Sequence, residues 1–125
     1  MEFITTKKAP EAIGPYSQAV KVNNMLYLSG QIPINPETGQ VVENDIVLQT
    51  RQVLQNIEAI LHEENLSIDQ VVKTTIFIKD MAQFPIINEE YSSFFKDHKP
   101  ARSTVEVSRL PKDVLIEIES IAVLS

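Results

Sequence analysis

Hydrophobic residues along this chain of 125 change their spacing several times, and each change predicts an element. Residues 3–6 read as a short edge strand. Residues 19–22 and 25–29 are apolar runs separated by Asn23-Asn24. Asparagine tolerates positive φ in a tight turn, so the pair predicts a β-hairpin. Pro33, Pro36 and Gly39 then mark an irregular loop. From Asp45, a candidate N-cap, positions Val47, Thr50, Val53, Leu54, Ile57, Ile60 and Leu61 recur on one stripe of a helix. Gln49, Gln52, Gln55 and Glu58 fall outside that stripe. Residues 71–78 are rich in β-branched side chains and predict a strand. A second helix is expected from Phe84, with Pro85 tolerated in its first turn and a stripe of Phe84, Ile87, Tyr91, Phe94 and Phe95. Residues 103–107 and 115–124 read as two final strands around Leu110-Pro111-Lys112-Asp113. The order β-β-β-α-β-α-β-β predicts an α+β sandwich, one sheet covered on one face by two helices.

The last strand has two faces of different character. Ile116, Ile118, Ser120, Ala122 and Leu124 suit packing beneath the helices, while Leu115, Glu117, Glu119, Ile121 and Val123 point the other way. Helices on a single side would leave the second face largely apolar and uncovered, which predicts a homo-oligomer. Glu117 and Glu119 then sit on apolar surface, where an unpaired carboxylate is costly. An antiparallel pairing of the last two strands would bring Arg102 and Thr104 opposite Glu119 and Glu117. Two readings stay open: a structural ion pair, or an anion-binding arginine beside a general-base glutamate. The planar guanidinium suits the second role because it matches a carboxylate bidentately.

Composition narrows the chemistry. With 43% hydrophobic and 22% charged residues, the chain is expected to fold as one domain over residues 1–125. No apolar run approaches the ~20 residues of a membrane span, and the first residues lack a signal-peptide pattern. The expected location is the cytosol. The absence of cysteine excludes disulfides, zinc–cysteine sites and a thiol nucleophile. His62 and His98 show no metal-ligand spacing and read as solvated surface. The net charge of −6, with Lys7-Lys8 the only adjacent basic pair, argues against nucleic acid as partner.

Several segments together resemble the RidA (YjgF) family over essentially the whole chain. They are Gly14-Pro15-Tyr16-Ser17-Gln18-Ala19, Leu28-Ser29-Gly30-Gln31-Ile32-Pro33 and Gln49-Thr50-Arg51-Gln52-Val53-Leu54-Gln55-Asn56-Ile57. Thr75-Ile76-Phe77-Ile78-Lys79-Asp80-Met81 follows, and then Pro100-Ala101-Arg102-Ser103-Thr104-Val105 with Leu110-Pro111-Lys112-Asp113 and Ile116-Glu117-Ile118. The resemblance implies a chorismate-mutase-like fold, a homotrimer and active clefts between subunits. It implies hydrolysis of reactive 2-imino acids to 2-keto acids and ammonia, without cofactor or metal. The substrates would be the enamine/imine products of pyridoxal-phosphate-dependent serine and threonine dehydratases.

Residue roles follow from the same resemblance. Arg102 would clamp the substrate carboxylate, and Glu117 would activate water, which calls for a raised pKa. Gly30 would offer its backbone N–H at close range. Ser29 and Tyr16 would orient substrate or water with their hydroxyls, and Asn88 would line the cleft from the second helix. Thr104 stands where many family members have cysteine, so thiol-dependent roles are in doubt while hydrolysis by water is untouched. Plainer readings exist for each: a turn at Gly14-Pro15, a core-capping Tyr16, a strand end at Ser29-Gly30, a solvated Asn88. At the level of function the alternatives are a non-catalytic carboxylate-binding regulatory trimer, a ribonuclease or translation inhibitor, and a chorismate-mutase-like isomerase.

Overall fold

Residues 1–124, the part this computed structural model describes, fold into a six-stranded sheet with two α-helices on one face. The strands are β1 (Glu2–Ile4), β2 (Ala19–Val22), β3 (Met25–Gln31), β4 (Val71–Ile78), β5 (Ala101–Glu106) and β6 (Ile116–Val123). The helices are α1 (Ile46–Glu63) and α2 (Phe84–Phe95). Sheet order is β1-β2-β3-β6-β4-β5, with β4 and β5 parallel and every other pair antiparallel.

Local chemistry accounts for most boundaries. Asn23 and Asn24 both take positive φ, 49° and 68°, as the tight turn between β2 and β3 requires. The Asp45 side chain accepts the Leu48 N–H at 2.9 Å and starts α1. Pro85 stands in the first turn of α2, where its missing N–H breaks no bond. β1 stops at Ile4, short of the expected end, because Thr6 gives its N–H and C=O to the Gln18 side chain instead of to a strand. β5 begins at Ala101, earlier than expected, and its largely exposed residues mark a sheet edge.

The core lies between sheet and helices. Leu26, Leu28, Ile76, Ile78, Ile116 and Ile118 point up into Val53, Ile57, Ile60, Leu61 and Ile87. Leu115 departs from its expected place on the other face: it packs against this core just before β6 begins. The opposite face is bare, as the alternation in β6 predicts. It presents Val20, Met25, Tyr27, Phe77, Ile121 and Val123, with Tyr27 45% exposed.

Three expectations are corrected. β5 and β6 are not neighbours, because the crossover from β4 through α2 returns β5 parallel on the far side of β4. Gln49, expected outside the apolar stripe, belongs to the buried face of α1 at 1% exposed, as does Asn56. Both amides are occupied by backbone groups of neighbouring loops. His98 is half-buried, its Nε2 at 2.6 Å from the Val71 carbonyl and its ring against Phe95, so it ties the α2–β5 loop to β4.

The Thr50 hydroxyl, fully buried between α1 and the sheet, finds no hydrogen-bond partner among the described residues. Replacing it with an isosteric methyl removes an unsatisfied polar atom without opening a cavity. Thr50→Val is therefore expected to stabilise the fold by about 1 kcal/mol. A urea midpoint that rises at unchanged slope is the expected result, and a midpoint that falls would contradict it.

Candidate active site

Glu117 lies on the bare face of β6, half-buried, with neither an ion-pair nor a hydrogen-bond partner among the described residues. Burial pushes its carboxyl above the ordinary glutamate range, and the neighbouring Glu119 adds to the rise. A β-bulge shapes the strand beside it. Leu28 pairs with Ser120 and Gln31 with Ile118, so β3 spends one residue more than β6 across Ser29-Gly30. The bulge brings Gly30 against the Glu117 side chain. A methyl at Gly30 would overlap the carboxylate oxygen Oε2 and stand 2.9 Å from Cδ. Glycine is thus required there for the carboxylate to lie along the backbone.

The walls of this cleft are irregular segments. Its volume is about 480 Å³, and Tyr16, Ser29, Gly30 and Glu117 line it together with Lys112 and Ile13. Ser29 Oγ donates to the Ser17 carbonyl at 2.6 Å, and its backbone N–H donates to Gln18 O at 2.9 Å. The hydroxyl proton is thereby committed, leaving the oxygen as an acceptor toward the cleft. Tyr16 is 54% exposed, which removes the core-capping reading, and its hydroxyl accepts the Ile13 N–H at 3.4 Å. Lys112 was missed by residue-type reasoning. Lys112 and Asp113 hold φ of 56° and 55°, and this left-handed pair places the lysine at the rim. The Leu110-Pro111-Lys112-Asp113 turn was the available signal.

Arg102 belongs to a second cleft. On β5 it pairs with Thr74 of β4, whose side chain is buried on the helix side of the sheet. Its Nη1 donates to Asn88 Oδ1 at 2.7 Å, and its guanidinium carbon sits 5.2 Å and 5.0 Å from the Phe84 and Tyr91 ring centroids. Such stacking holds a cation without neutralising it. No carboxylate pairs with Arg102 among the described residues. The cleft, about 420 Å³, is also lined by Lys96, His98 and Lys99, and no acidic residue lines it. Tyr91 shares a 2.7 Å hydrogen bond with Thr74 at its base, and burial raises its phenol pKa.

The predicted residues therefore divide into two groups. Tyr16, Ser29, Gly30 and Glu117 converge on the open face, and Asn88 and Arg102 converge on the helix side. The expected pairing of Arg102 and Thr104 opposite Glu119 and Glu117 does not occur, because β4 stands between their strands. Thr75 opposes Glu119 and Phe77 opposes Glu117 instead. Two strand spacings put Arg102 and Glu117 about 10 Å apart even before the sheet itself is crossed. Thr104 pairs with Ile76 and lines neither cleft. Among the described residues no three His, Cys, Asp or Glu side chains come together as a metal site, and no helix is long and apolar enough to cross a membrane.

Each group has a distinct chemistry. One is an unpaired, half-buried carboxylate against the bare backbone of a glycine, suited to take a proton. The other is an uncompensated guanidinium held in place by an amide and two rings, suited to an anion.

Comparison with known proteins assigns the chain to a family. The family model described as endoribonuclease L-PSP matches residues 6–124. The Rid-family protein YyfA of Yersinia pestis superposes with a TM-score of 0.96 at 58% identity, over 98% of each chain. Escherichia coli TdcF, solved with bound serine, superposes with a TM-score of 0.95 at 47% identity, over 100% of each. A protein of Escherichia coli strain K12 named 2-iminobutanoate/2-iminopropanoate deaminase is 53% identical over 123 residues, 96% of this chain and 95% of its own. Fold, motifs and whole-length identity agree, and the chain belongs to the endoribonuclease L-PSP family, the Rid proteins that its sequence motifs resemble.

Proposed function

We propose that the protein is a hydrolytic deaminase of reactive 2-imino acids, working as a homotrimer. Its cleft would join the Arg102 half of one copy to the Glu117 half of the next. The observation that carries this reading is the division of the site: each half is chemically unsatisfied, and one chain cannot close them on one small molecule. A contact between two different surfaces of identical chains closes into a ring when repeated. The bare apolar face and the exposed β5 edge are the surfaces available for it. Three copies is the ring the family resemblance implies.

The chemistry follows from the two halves. Arg102, aimed by Asn88, holds the substrate carboxylate and fixes the C=N carbon over Glu117. The substrate enters as the protonated iminium, and ionised Glu117 takes a proton from water as the oxygen attacks the C=N carbon, giving a neutral amino alcohol. Glu117 returns that proton to the nitrogen and then takes the hydroxyl proton as the C–N bond breaks, so the keto acid forms and ammonia leaves, carrying the proton away as ammonium. The Gly30 N–H and Ser29 Oγ orient water or substrate, and Tyr16 closes the wall. Thr104 contributes through the backbone of the β5 edge, and the reaction needs no thiol, metal or cofactor. The serine named in the TdcF structure supports recognition of a small amino-acid-like carboxylate. It equally suits a regulatory trimer that binds without turnover, for which Glu117 would be dispensable. The family description points to RNA, but a net charge of −6 argues against a polyanion as partner.

The first test generates 2-aminoacrylate and 2-aminocrotonate in situ with a serine/threonine dehydratase and follows keto-acid release. Wild type is expected to accelerate it. Glu117→Gln is expected to lose about a hundredfold or more, the usual share of a general base, and Arg102→Ala to fall to the uncatalysed rate. No acceleration by folded wild type would leave the binding trimer as the better reading.

Composite sites can be checked by mixing. Chains carrying Arg102→Ala and chains carrying Glu117→Gln, each inactive, should regain activity when unfolded and refolded together. In random rings each site draws a good arginine and a good glutamate from different copies about one time in four, so roughly a quarter of wild-type activity is expected. No recovery would place each site within one chain.

The pH profile has a definite sign. Glu117 must be ionised to act, and its raised pKa moves the acid limb above the ordinary glutamate value of about 4.3. Activity should rise through that limb as pH increases. Glu119→Gln removes the like charge and should shift the limb to lower pH. A limb that stays in place would assign it to another group.

A further inference from the structure

Three buried amide side chains hold the walls around Glu117, and nothing in the proposed chemistry uses them. The walls are stretches outside the sheet and helices. Pro10, Glu11 and Ile13 come from the segment after β1, Ile32 and Ile34 from the loop after β3, and Pro111 and Lys112 from the turn before β6. Backbone in such segments lies outside the sheet, and beyond local pairing such as the Ile34–Val41 bridge its position depends on other partners.

Two of the walls have one amide each, and a third amide holds the residue that enters β6 before Glu117. Gln18, 4% exposed, gives Nε2 to the carbonyls of Thr6 (3.1 Å), Ala9 (3.3 Å) and Pro10 (2.7 Å), and its Oε1 accepts the Thr6 N–H at 2.7 Å. Asn56, 1% exposed, donates to the carbonyls of Ile32 (3.2 Å) and Ile34 (3.0 Å), and Gln52 donates to its Oδ1 at 2.9 Å. Gln49, also 1% exposed, donates to Glu43 O at 3.3 Å and accepts the Leu115 N–H at 2.8 Å, two residues before Glu117. An amide carries both donors and an acceptor, so one side chain can fix a bend in two directions. Gln18 also joins the wall to the bulge, because its own carbonyl takes the Ser29 N–H.

We infer that Gln18, Gln49 and Asn56 are positioning residues that set the shape of the Glu117 cleft, Gln18 and Asn56 by fixing two of its irregular walls and Gln49 by fixing the segment that leads into Glu117. These bonds serve stability as well as placement. The loops they hold also bury Ala9 and Ile34, so a melting point cannot separate positioning from stability and a site readout is needed. What the amides secure is one placement of each wall, including the approach of the chain to Glu117. Gln49 acts on the segment leading into the carboxylate, so its loss should fall mainly on kcat. Gln18 and Asn56 act on walls that face the ligand, so their loss should fall mainly on KM. This kinetic split rests on the deaminase reading, but the geometric claim does not.

The test uses Gln18→Met, Gln49→Met and Asn56→Leu, which keep bulk and remove the amide. Gln18→Glu, Gln49→Glu and Asn56→Asp serve where the first set does not fold, since each keeps the acceptor. The deciding measurement is the titration of the Glu117 carboxyl by ¹³C NMR, assigned with Glu117→Gln, in folded oligomers of each variant. Loosened walls admit water, so the midpoint should move down toward the ordinary glutamate range. Alongside it, kcat/KM should fall about tenfold to a hundredfold, as small misplacements do, at temperatures well below melting. A Glu117 midpoint unmoved in the folded variants overturns the inference, whatever their melting points. If wild type proves inactive on imines, the deaminase reading fails and the titration still decides the positioning role.

Discussion

The contact between the Glu117 carboxylate and the bare backbone at Gly30 governs the layout of the open face. A charged group half out of water would ordinarily find a cation or an N–H. Here the bulge in β3 turns a glycine toward it, so the side chain can fold down on the strand without a partner. Everything around that contact is arranged to keep it: Ser29 tied to Ser17 and Gln18, and Leu115 tied to Gln49. The cost of an unpaired carboxylate is limited because the group is only half-buried, and what remains of it is seen in the raised pKa.

Sheet order supplies the second constraint. A crossover through α2 must return its strand parallel to β4, and only the outer side of β4 is open once β6 occupies the inner side. Arg102 is thereby carried to the edge and to the helix side, away from Glu117. The separation is a consequence of topology rather than of local sequence.

Much of the fold was legible in periodicity. The Asn23-Asn24 turn, the Asp45 cap, the strand at Val71–Ile78 and the two faces of β6 all follow from residue chemistry acting over a few positions. What was not legible depends on contacts between distant segments. Gln49 looks like a solvent residue because polarity alone cannot reveal that a loop carbonyl waits beside it. The β5–β6 pairing failed because nothing within either strand records that β4 intervenes. For the site, motif resemblance picked out the chemical groups, but their division between two clefts required the strand order. Thr104, named beside Arg102 on the same motif, lines neither cleft.

The aromatic enclosure of Arg102 bears on the thermodynamics of recognition. An arginine free in solvent surrenders close to 2 kcal/mol of side-chain rotamer entropy when it is immobilised. Between Phe84 and Tyr91, with Asn88 on one nitrogen, this guanidinium is already confined before any anion arrives. Folding has borne that ordering, so association with a carboxylate carries a smaller entropic penalty and a larger share of its hydrogen-bond enthalpy survives as affinity. Lysine could match the charge at this position, but not the flat, pre-ordered surface that the two rings select.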